Sequence, residues 1–334
     1  MKIVVTYNLK KIDNTKPADY YSEFDSEETI NAITLALELK GYSVDTVEFD
    51  GGQSFVDYFR KNRIDMVFNI AEGRIGKCRE SELTAILDSL NIPYTGSRTF
   101  SLALAMNKAV TKKILKAEGI PTPKFQVFIK GDETLNPELR FPLILKPNCE
   151  GSSKGINSSN VVNDTRSLYK KVRQLMDLYK QEVLAEEFIE GKELTVGILQ
   201  NGKVTALPVL EIDFSSCKGS GEYFYSWRMK EYQGDCRLGL TPTFYCPARI
   251  DKETEKRVKD IAVKTHFAVG CFGFSRTDIR LGRDNIPYVL EINPLPGLNP
   301  RESNFPMMAY AVGMKYEDLI ETILLSAQER YGLN

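Results

Sequence analysis

Short apolar runs and amphipathic stretches alternate along the first third of the chain. The predicted strands are KIVVTY (2–7), SVDTVEF (43–49), IDMVFNI (64–70) and, as a short strand and turn, IPYTGS (92–97). The predicted helices cover 26–41, 54–62 and 79–91, the first of them closed by Gly41. Alternation of this kind is typical of a parallel sheet that is covered on both faces. We therefore expect an α/β arrangement at the start of the chain.

Beyond residue 98 strands and helices no longer alternate strictly. Helices are predicted over 100–108, 109–119, 167–180, 251–268 and 316–332. Strands are predicted over 124–130, 141–147, 182–189, 193–199, 203–212, 272–281 and 287–294. Asn201-Gly202 indicates a tight hairpin turn between two of these strands. The strands 272–281 and 287–294 are expected to pair with each other.

The composition is that of an ordinary soluble enzyme. The 334 residues are enough for two or three packed lobes, and the net charge is −1. Without a basic field, a general nucleic-acid or membrane-surface binder is not expected. No stretch approaches about 18 uninterrupted apolar residues, and the opening MKIVVTYN lacks the features of a signal peptide. We expect a cytoplasmic protein that binds neither nucleic acid nor membrane.

Cysteine, histidine and glycine usage narrows the chemistry. The six cysteines are scattered without a CxxC pair, which favours reduced thiols over a disulfide framework. The single histidine, His266, lies in a predicted helix, where a surface or satisfied core position is expected. No GxGxxG motif follows the first strand, which sets aside a NAD-dependent enzyme. Carboxylates, lysines, arginines and bound cofactors must therefore supply the chemistry.

A lysine followed by a small glycine loop ends one of the buried strands, in FPLILKPNCEGSSKGI (141–156). A Walker P-loop would place its lysine after the glycines and then open a helix. Here Lys146 precedes the loop, and the stretch 155–162 is predicted to be strand-like. The pattern indicates a hairpin-type flap whose N–H groups and hydroxyls close over a triphosphate. A flexible surface hairpin is the alternative.

The paired strands SRTDIRL and YVLEINPLPG carry a second set of polar residues. Residues two apart on a strand share a face, so Arg276, Asp278 and Arg280 project together, as do Glu291 and Asn293 on the partner. Antiparallel pairing would bring Asp278, Glu291 and Asn293 into one oxygen-rich cluster of the kind that Mg²⁺ prefers. A solvated charged face is the alternative. Against it, the second strand is otherwise apolar, and a buried carboxylate without a partner is costly.

A third stretch, VLAEEFIEGKEL (183–194), leaves a predicted strand with polar groups exposed. The backbone and side chains of Glu186, Glu187, Phe188 and Ile189 could meet the polar edge of a purine, and Glu193 could then reach ribose hydroxyls. Taken alone, this pattern also suits an ordinary strand end.

The ordered set MNKAVTKKILKAEGIPTP, LILKPNCEGSSKGI, AEEFIEGKELTVGIL, CFGFSRTDI and VLEINPLPGLNP resembles the ATP-grasp superfamily. Within it, the chain is most similar to the D-alanine–D-alanine ligase-like family, and the resemblance extends over nearly its whole length. It implies an α/β and α+β protein with an ATP-grasp fold. An N-terminal Rossmann-like, pre-ATP-grasp domain would cover residues 1–98. A central lobe (99–190) and a C-terminal lobe (191–334) would hold ATP between them.

The resemblance also implies a role for each candidate residue. Phosphate contacts are implied for Lys108, Lys146, Gly151, Ser152 and Ser153, and other nucleotide contacts are implied for Glu186, Glu187, Phe188, Ile189, Glu193, Lys230 and Asn293. Two Mg²⁺ ions would be held by Asp278, Glu291 and Asn293. Catalytic roles are implied for Arg276, the Gly297 N–H, Ser152 and Lys230. The implied reaction activates a carboxylate with ATP as an acyl phosphate, which an amine then converts to an amide, releasing ADP and phosphate. The substrates would be small and amino-acid-like, and relatives suggest a homodimer.

The departures from the family pattern fall around the amino-acid pockets. Where D-alanine-specific members carry a Y-E-A-K-Y-type motif, this chain has WRMKE, which keeps Lys230 and ends in Glu231. Glu72 stands where a histidine is usual, and Ser303 only approximately takes the place of a carboxylate-binding serine. The stretch after the first strand is longer and lacks the E-R-E-V-S-type pattern. We list Glu72, Glu231, Arg276 and Ser303 as candidate substrate contacts.

These departures predict a paralogous ligase with a different amino-acid-like substrate, one with a polar or cationic moiety. Two alternatives stay open. One is a true D-alanine–D-alanine ligase of cell-wall synthesis, and the other is a nucleotide-binding regulator without turnover.

Overall fold

Three β-sheets organise the chain in the computed structural model, which describes residues 1–11, 13, 15–74, 76–217 and 219–333. The first sheet is parallel, with strand order β2-β1-β3. Its elements are β1 (Lys2–Tyr7), α1 (Glu27–Leu39), β2 (Ser43–Glu48), α2 (Gln53–Lys61), β3 (Met66–Asn69) and α3 (Glu82–Ser89). The predicted α/β alternation is confirmed, although 92–97 contributes only a single bridge from Tyr94 to Val67.

Both faces of the first sheet are buried, because successive strand residues point to opposite sides. Ile3 and Val5 pack in the same cluster as Leu37 of α1, whereas Val4 packs with Phe55 of α2. All five side chains are nearly inaccessible to solvent. The sheet is thus a layer between two apolar clusters, as the sequence pattern predicts.

The second sheet has four antiparallel strands in the order β4-β7-β5-β6. The elements of this region are α4 (Thr99–Met106), α5 (Lys108–Ala117), β4 (Phe125–Phe128), β5 (Leu143–Pro147), β6 (Val161–Val162), α6 (Thr165–Tyr179) and β7 (Val183–Glu187). Leu143 and Leu145 of β5 pack against Leu168 and Val172 of α6. This packing leaves the opposite face of β5, which carries Lys146, directed away from α6.

The third sheet has six strands, in the order β11-β10-β8-β12-β13 with β9 paired to β8. Its region contains β8 (Gly191–Asn201), β9 (Lys203–Ala206), β10 (Leu210–Asp213), α7 (Trp227–Glu231), β11 (Thr243–Tyr245), α8 (Lys252–Ala268), β12 (Phe274–Gly282), β13 (Pro287–Asn293), α9 (Asn304–Tyr310) and α10 (Tyr316–Tyr331). The predicted hairpin is confirmed, with Asn201 opposite Lys203 across Gly202. The domain boundaries at 98 and 190 stay a prediction.

The C-terminal helix returns to the N-terminal sheet. Ile320, Ile323 and Leu324 of α10 lie in the same buried cluster as Ile33 and Leu37 of α1. Residues from the two ends of the chain therefore share one core, which fixes the N-terminal elements against the third sheet.

Two predicted strands are shorter in the structure. The run 203–212 divides into β9 and β10 around Pro208, because proline has no N–H to donate within a sheet. In the stretch 155–162 only Val161–Val162 is strand. There the side chain of Asn157 accepts from the Ser159 N–H and the side chain of Asn160 accepts from the Asn157 N–H, which favours a 3₁₀ turn over Ser158–Asn160.

His266 is a satisfied core residue, one of the two positions expected for it. Its Nδ1 lies 2.7 Å from Ser275 Oγ, and Nε2 lies 3.2 Å from Gln200 Oε1. Burial lowers its pKa to about 4, so the ring is neutral at pH 7. No helix among the described residues is long and apolar enough to cross a bilayer.

Candidate active site

Two connected clefts contain the residues that the sequence singles out. The inter-sheet cleft, between the second and third sheets, has an empty volume of about 760 Å³. The wide cleft, between the N-terminal elements, the 150–155 loop and the third sheet, has an empty volume of about 2150 Å³. Both clefts are lined by Tyr225, Lys230, Arg276, Glu291 and Asn304. A ligand in one cleft can therefore meet a ligand in the other at this junction.

Each site residue predicted from the sequence lines at least one cleft. The inter-sheet cleft is lined by Lys146, Ser153, Glu186, Glu187, Phe188, Ile189, Glu193, Lys230, Arg276, Asp278 and Glu291. The wide cleft is lined by Glu72, Lys108, Gly151, Ser152, Lys230, Glu231, Arg276, Glu291, Asn293, Gly297 and Ser303. The structure thus brings them together, while their roles toward ligands stay predictions.

Glu186 forms a buried ion triad with two lysines. Nζ of Lys146 lies 2.5 Å from one carboxylate oxygen of Glu186, and Nζ of Lys112 lies 2.8 Å from the other. The side chains of Glu186 and Lys112 are each 1% exposed. Burial opposes ionisation of Glu186, but the two lysine charges outweigh it and lower its pKa. Both carboxylate oxygens of Glu186 are thus paired with lysines, and the carboxylate holds Lys146 in the wall of the cleft.

Lys108, the first residue of α5, points toward the loop and β13. Asn107 caps the helix by accepting from the Val110 N–H at 3.0 Å. Lys108 Nζ donates to the Glu150 carbonyl at 2.6 Å and lies 3.0 Å from the Glu291 carboxylate. Burial opposes the charge on Lys108, but Glu291 outweighs it and raises the pKa of the ammonium. Lys108 therefore stays cationic, as a phosphate-binding lysine must.

Antiparallel pairing of β12 with β13 gathers the predicted oxygen cluster. Asp278 lies opposite Glu291, and Arg276 lies opposite Asn293. The Arg276 guanidinium donates to both oxygens of Asp278, at 2.9 and 2.8 Å, and Asn293 Nδ2 donates to Asp278 at 3.0 Å. Thr195 of β8 donates to the same carboxylate at 2.7 Å. The cluster predicted from the two-residue strand period is therefore present in the fold.

The donor set of this cluster suits a hard divalent cation. Asp278 and Glu291 are carboxylates, and Asn293 keeps its amide oxygen because its NH₂ group is used on Asp278. Mg²⁺ takes few protein oxygens and completes its shell with water and substrate phosphates. No group of three or more histidine, cysteine, aspartate or glutamate side chains in the described part of the chain could hold a metal by itself. Metal binding would therefore depend on ligand oxygens as well.

Glu193, predicted to reach a ribose, is held by Arg280. The Arg280 guanidinium lies 3.0 Å from the Glu193 carboxylate and donates to the Ile189 carbonyl at 2.9 Å. It also lies 4.8 Å from the centre of the Phe188 ring, and the Tyr225 N–H donates to Glu193 at 3.3 Å. One arginine thus fixes an aromatic ring, a carboxylate and a strand end along the same wall.

The loop 150–155, which we call the flap, separates the two clefts. Ser152 and Ser153 have φ angles of 45° and 55°, in the left-handed region that residues other than glycine rarely adopt. The Ser153 hydroxyl donates to the Tyr225 carbonyl at 3.0 Å. The flap is therefore connected to the segment that carries Lys230.

The N-terminal side of the wide cleft is rich in carboxylates, some of them paired. Arg79 donates to both oxygens of Glu23, with a distance of 3.0 Å from Nε, and Nη2 lies 3.1 Å from Glu150. Glu72 and Glu80, both half-buried, form no hydrogen bond or ion pair with the described residues. Burial, followed by the charge of Glu23, raises the pKa of Glu80 to about 8. Burial and then Glu80 raise the pKa of Glu72 well above its ordinary value.

The adjacent residues Lys230 and Glu231 point to different surroundings. The Lys230 ammonium lies 5.4 Å from the centre of the Tyr225 ring and lines both clefts. Burial, followed by the charge of Arg276, lowers its pKa. Glu231 instead lies 2.9 Å from Lys10 Nζ at the rim of the wide cleft. The negative charge that Glu231 adds to the family motif is therefore balanced within the protein.

Gly297 and Ser303 lie together on the third side of the wide cleft. Ser303 precedes α9, and its hydroxyl accepts from the Asn299 N–H at 3.0 Å. A Cβ added at Gly297 would stand 2.9 Å from the Ser303 hydroxyl, so a side chain there would displace it. An alanine at position 297 would therefore change the position of the Ser303 hydroxyl.

Several residues of the site were not singled out in the sequence. They are Lys10, Arg79, Glu80, Lys112 and Tyr225. Lys112 follows Lys108 by one helical turn, a spacing that places both on one helix face and could have indicated it. The Arg79–Glu23 pair joins residues that are 56 positions apart, so no local sequence pattern predicts it.

Comparison with known proteins decides the family. A family model described as D-ala D-ala ligase C-terminus matches residues 114–325. The D-alanine–D-alanine ligase of Carboxydothermus hydrogenoformans is 36% identical over 311 residues, which cover 90% of this chain and 93% of that protein. This chain belongs to the D-alanine–D-alanine ligase family.

Solved structures of this ligase family agree with the fold. The crystal structure of D-alanine–D-alanine ligase from Bacillus anthracis complexed with ATP has a TM-score of 0.77 and 26% identity, and the match covers 99% of both chains. The VanG D-Ala:D-Ser ligase from Enterococcus faecalis has a TM-score of 0.76 at 24% identity, covering 98% of this chain and 99% of that one, a likeness of fold. The predicted family and ATP-grasp fold are confirmed, and the chain is an ATP-dependent ligase of this family.

Proposed function

We propose that this ligase joins the carboxylate of one amino acid to the amine of a second through an acyl phosphate. The observation that supports this most directly is the cationic junction of the two clefts. Lys230 and Arg276 line both clefts, Lys146 lines the inter-sheet cleft, and Lys108 lines the wide cleft against Glu291. ATP would lie in the inter-sheet cleft with its terminal phosphate at this junction, and the amino acids would lie in the wide cleft.

The reaction at the junction needs positioning and charge neutralisation. A substrate carboxylate oxygen attacks the terminal phosphorus, and the bond from phosphorus to the bridging oxygen of ADP breaks. The amine of the second substrate then attacks the acyl carbon, inorganic phosphate leaves, and the amine nitrogen loses a proton. In our proposal Lys108, Lys146 and Arg276 stabilise the negative charge that moves through these steps, and the Gly297 N–H faces the oxyanion. Neutral His266, bonded to Ser275, takes no part.

The same proposal includes a magnesium requirement. Asp278, Glu291 and the amide oxygen of Asn293 would hold the metal, which when bound neutralises phosphate charge. Arg276 and Lys108 would then leave their ion pairs with these carboxylates, and their side chains would turn toward phosphate oxygens.

We further propose that the amine substrate carries a polar or cationic group in addition to its reacting amine. The support is the pair Glu72 and Glu80, which line the wide cleft and form no direct ion pair among the described residues, although the charge of Arg79 acts on both and that of Lys108 acts on Glu80. A substrate cation between them would supply a closer counter-charge and lower the pKa of both carboxyls. Glu231 contributes less negative charge to the wide cleft than the sequence suggests, because it forms an ion pair with Lys10.

A substrate panel tests this proposal. Purified protein with ATP and MgCl₂ is given pairs of D- and L-amino acids, phosphate release is measured, and products are identified by mass. We expect the highest kcat/KM with a diamino acid as the amine substrate. We also expect a fall of about tenfold for that substrate in Glu72→Gln, with little change for neutral amino acids.

The second candidate is D-alanyl-D-alanine synthesis, favoured by the names of relatives such as the Carboxydothermus hydrogenoformans enzyme. Exclusive turnover of D-alanine in the panel would decide for it and against a cationic substrate. Absence of ADP formation with every pair would instead indicate a regulator without turnover.

A further inference from the structure

The long stretch after β1 that departs from the family pattern folds against the flap. Residues 17–25, which we call the acidic strap, run as successive turns and then rejoin the end of β1. The Lys10 N–H donates to the Asp25 carbonyl at 2.8 Å, and the Asp25 N–H donates to the Asn8 carbonyl at 3.0 Å. The strap is therefore anchored at one end to the N-terminal sheet.

Two strap carboxylates accept hydrogen bonds from glycine N–H groups at the two ends of the flap. Glu23 accepts from the Gly151 N–H at 2.7 Å, and Asp19 accepts from the Gly155 N–H at 3.2 Å. Lys154, between the two glycines, lies 3.4 Å from Glu23 and 6.0 Å from the centre of the Tyr20 ring. The strap thus contacts the flap at both of its ends.

Asp19 also joins the flap to α6. The Tyr179 hydroxyl, at the end of that helix, donates to Asp19 at 2.5 Å. The Tyr179 ring lies directly against Gly155, since a Cβ added there would stand 2.6 Å from the ring. Burial and then the bond to Asp19 raise the pKa of the Tyr179 hydroxyl, which therefore keeps its proton and remains a donor. The strap, the flap and α6 all meet at this one carboxylate.

We propose, resting on the proposed function in which the flap covers the phosphates of ATP, that Asp19 is a positioning residue that holds the flap closed. It contacts no atom expected to react. It acts through Gly155 and Tyr179, by restricting the flap to the position in which Gly151, Ser152 and Ser153 face the clefts. Removing it would leave the flap free to open, which weakens nucleotide binding and admits water to the phosphates.

The chain contains a reporter for this motion in its single tryptophan, Trp227. The backbone N–H of Trp227 donates to the carbonyl of Ile156 at 3.0 Å, one residue beyond the flap. Its side chain lines a cavity with Asp19, Gly155 and Tyr179. Opening of the flap would therefore change the surroundings of the indole.

The experiment titrates ATP with MgCl₂ into the full chain and follows Trp227 fluorescence. A parallel assay measures ADP formed without any amine. For Asp19→Ala and Asp19→Asn we expect the Kd for ATP to rise about threefold to tenfold, because a hydrogen bond to a charged group is lost or weakened. ADP formation without amine should rise, since an open flap admits water. Tyr179→Phe, which keeps the ring, should change both in the same direction by less.

Asp13→Asn is the matched control, because Asp13 lies on the same N-terminal stretch and accepts hydrogen bonds from Thr15 rather than from the flap. It should leave both readouts unchanged. Asp19 variants that keep the parent Kd and the parent fluorescence change would overturn the proposal, even if they melt at a lower temperature. Failure of the proposed ligase reaction would show instead as no amide product with any substrate pair, and the nucleotide titration would still test the strap.

Discussion

The inter-sheet cleft and the wide cleft meet at Lys230 and Arg276, yet they differ in how their carboxylates are paired. In the inter-sheet cleft Glu186 has two lysine partners, and Asp278 has an arginine, an asparagine and a threonine. On the N-terminal side of the wide cleft, Glu72 and Glu80 have neither hydrogen-bond nor ion-pair partners among the described residues.

The difference indicates where each cleft leaves charge for its ligand. Ion pairs inside the inter-sheet cleft position lysines and an arginine before any anion arrives, so little reorganisation is needed when a triphosphate binds. Carboxylates without partners raise the free energy of the empty wide cleft, and a cationic ligand would recover that free energy on binding. We expect substitutions of charged residues in the inter-sheet cleft to destabilise the protein, because its charges depend on one another. In the wide cleft, removal of an unpaired carboxylate should instead increase the free energy of unfolding.

The largest effect is expected from breaking the buried triad with Glu186→Ala. Lys112 and Lys146 would then be left without their shared counter-charge, and removal of one partner from a buried ion pair costs about 3–5 kcal/mol. Urea denaturation at pH 7 measures the free energy of unfolding. Glu190→Ala is the control, because Glu190 pairs with Arg283 on the surface, where such a pair contributes about 1 kcal/mol or less. Equal losses for the two variants would mean that the triad does not support the cleft.

The next effect concerns the junction, where Arg276→Ala removes a cation that lines both clefts. We expect kcat to fall about 10²–10³-fold, the usual cost of losing one group that stabilises developing charge. The KM for ATP should change less, because Lys108 and Lys146 remain. Arg276→Lys should recover only part of kcat, since lysine lacks the planar fork that binds both oxygens of Asp278.

Arg283→Ala provides the matched control, because this arginine follows β12 and its side chain is 82% exposed. Its kcat should equal that of the parent. An Arg276→Ala variant with the kcat of the parent would remove Arg276 from the proposed mechanism and leave the junction without its central cation.

The two clefts also differ in how far the sequence predicts them. The cluster of Asp278, Glu291 and Asn293 follows from the two-residue period of two adjacent strands joined by a short turn, so local pattern suffices. Lys146 is marked by a strand end, whereas Lys108 is singled out only by the family resemblance. The parallel sheet and the hairpin at Gly202 follow equally from local pattern.

The wide cleft depends on contacts that no local pattern contains. Glu23 meets Arg79 across 56 positions, and Glu231 meets Lys10 across 221. Both pairs arise only because the stretch after β1 turns back over the flap and toward α7. From sequence, Glu231 is therefore interpreted as a substrate contact, whereas the structure gives it a partner within the protein. Asp19 has no sequence signal at all, since it lies in a turn whose packing decides its role.

The smallest expected effect tests the wide cleft through pH. The pKa of Glu80 is about 8 in the folded protein, against an ordinary value of 4.5. Between these values the folded state holds a proton that the unfolded chain has released, so the free energy of unfolding falls as pH rises, and the full cost applies above about pH 8. Glu80→Gln removes this cost. We expect the variant to be about 1–3 kcal/mol more stable than the parent at pH 8, with the difference shrinking toward pH 5.

Glu133 provides a control of opposite sign outside the wide cleft. Burial opposes its ionisation, but the N–H groups of Ile129, Lys130 and Gly131, at 2.7, 2.7 and 2.9 Å, outweigh it and hold its pKa at about 2. Its contribution to stability is present above its ordinary pKa of 4.5 and is lost as pH falls through about 2, so Glu133→Gln should destabilise the protein at pH 7. Chemical denaturation of both variants across pH 5–8 gives the comparison. If Glu80→Gln were no more stable than the parent at pH 8, the ionised Glu80 would already be compensated in the free protein. The proposal that the wide cleft binds a cationic group would then lose its support.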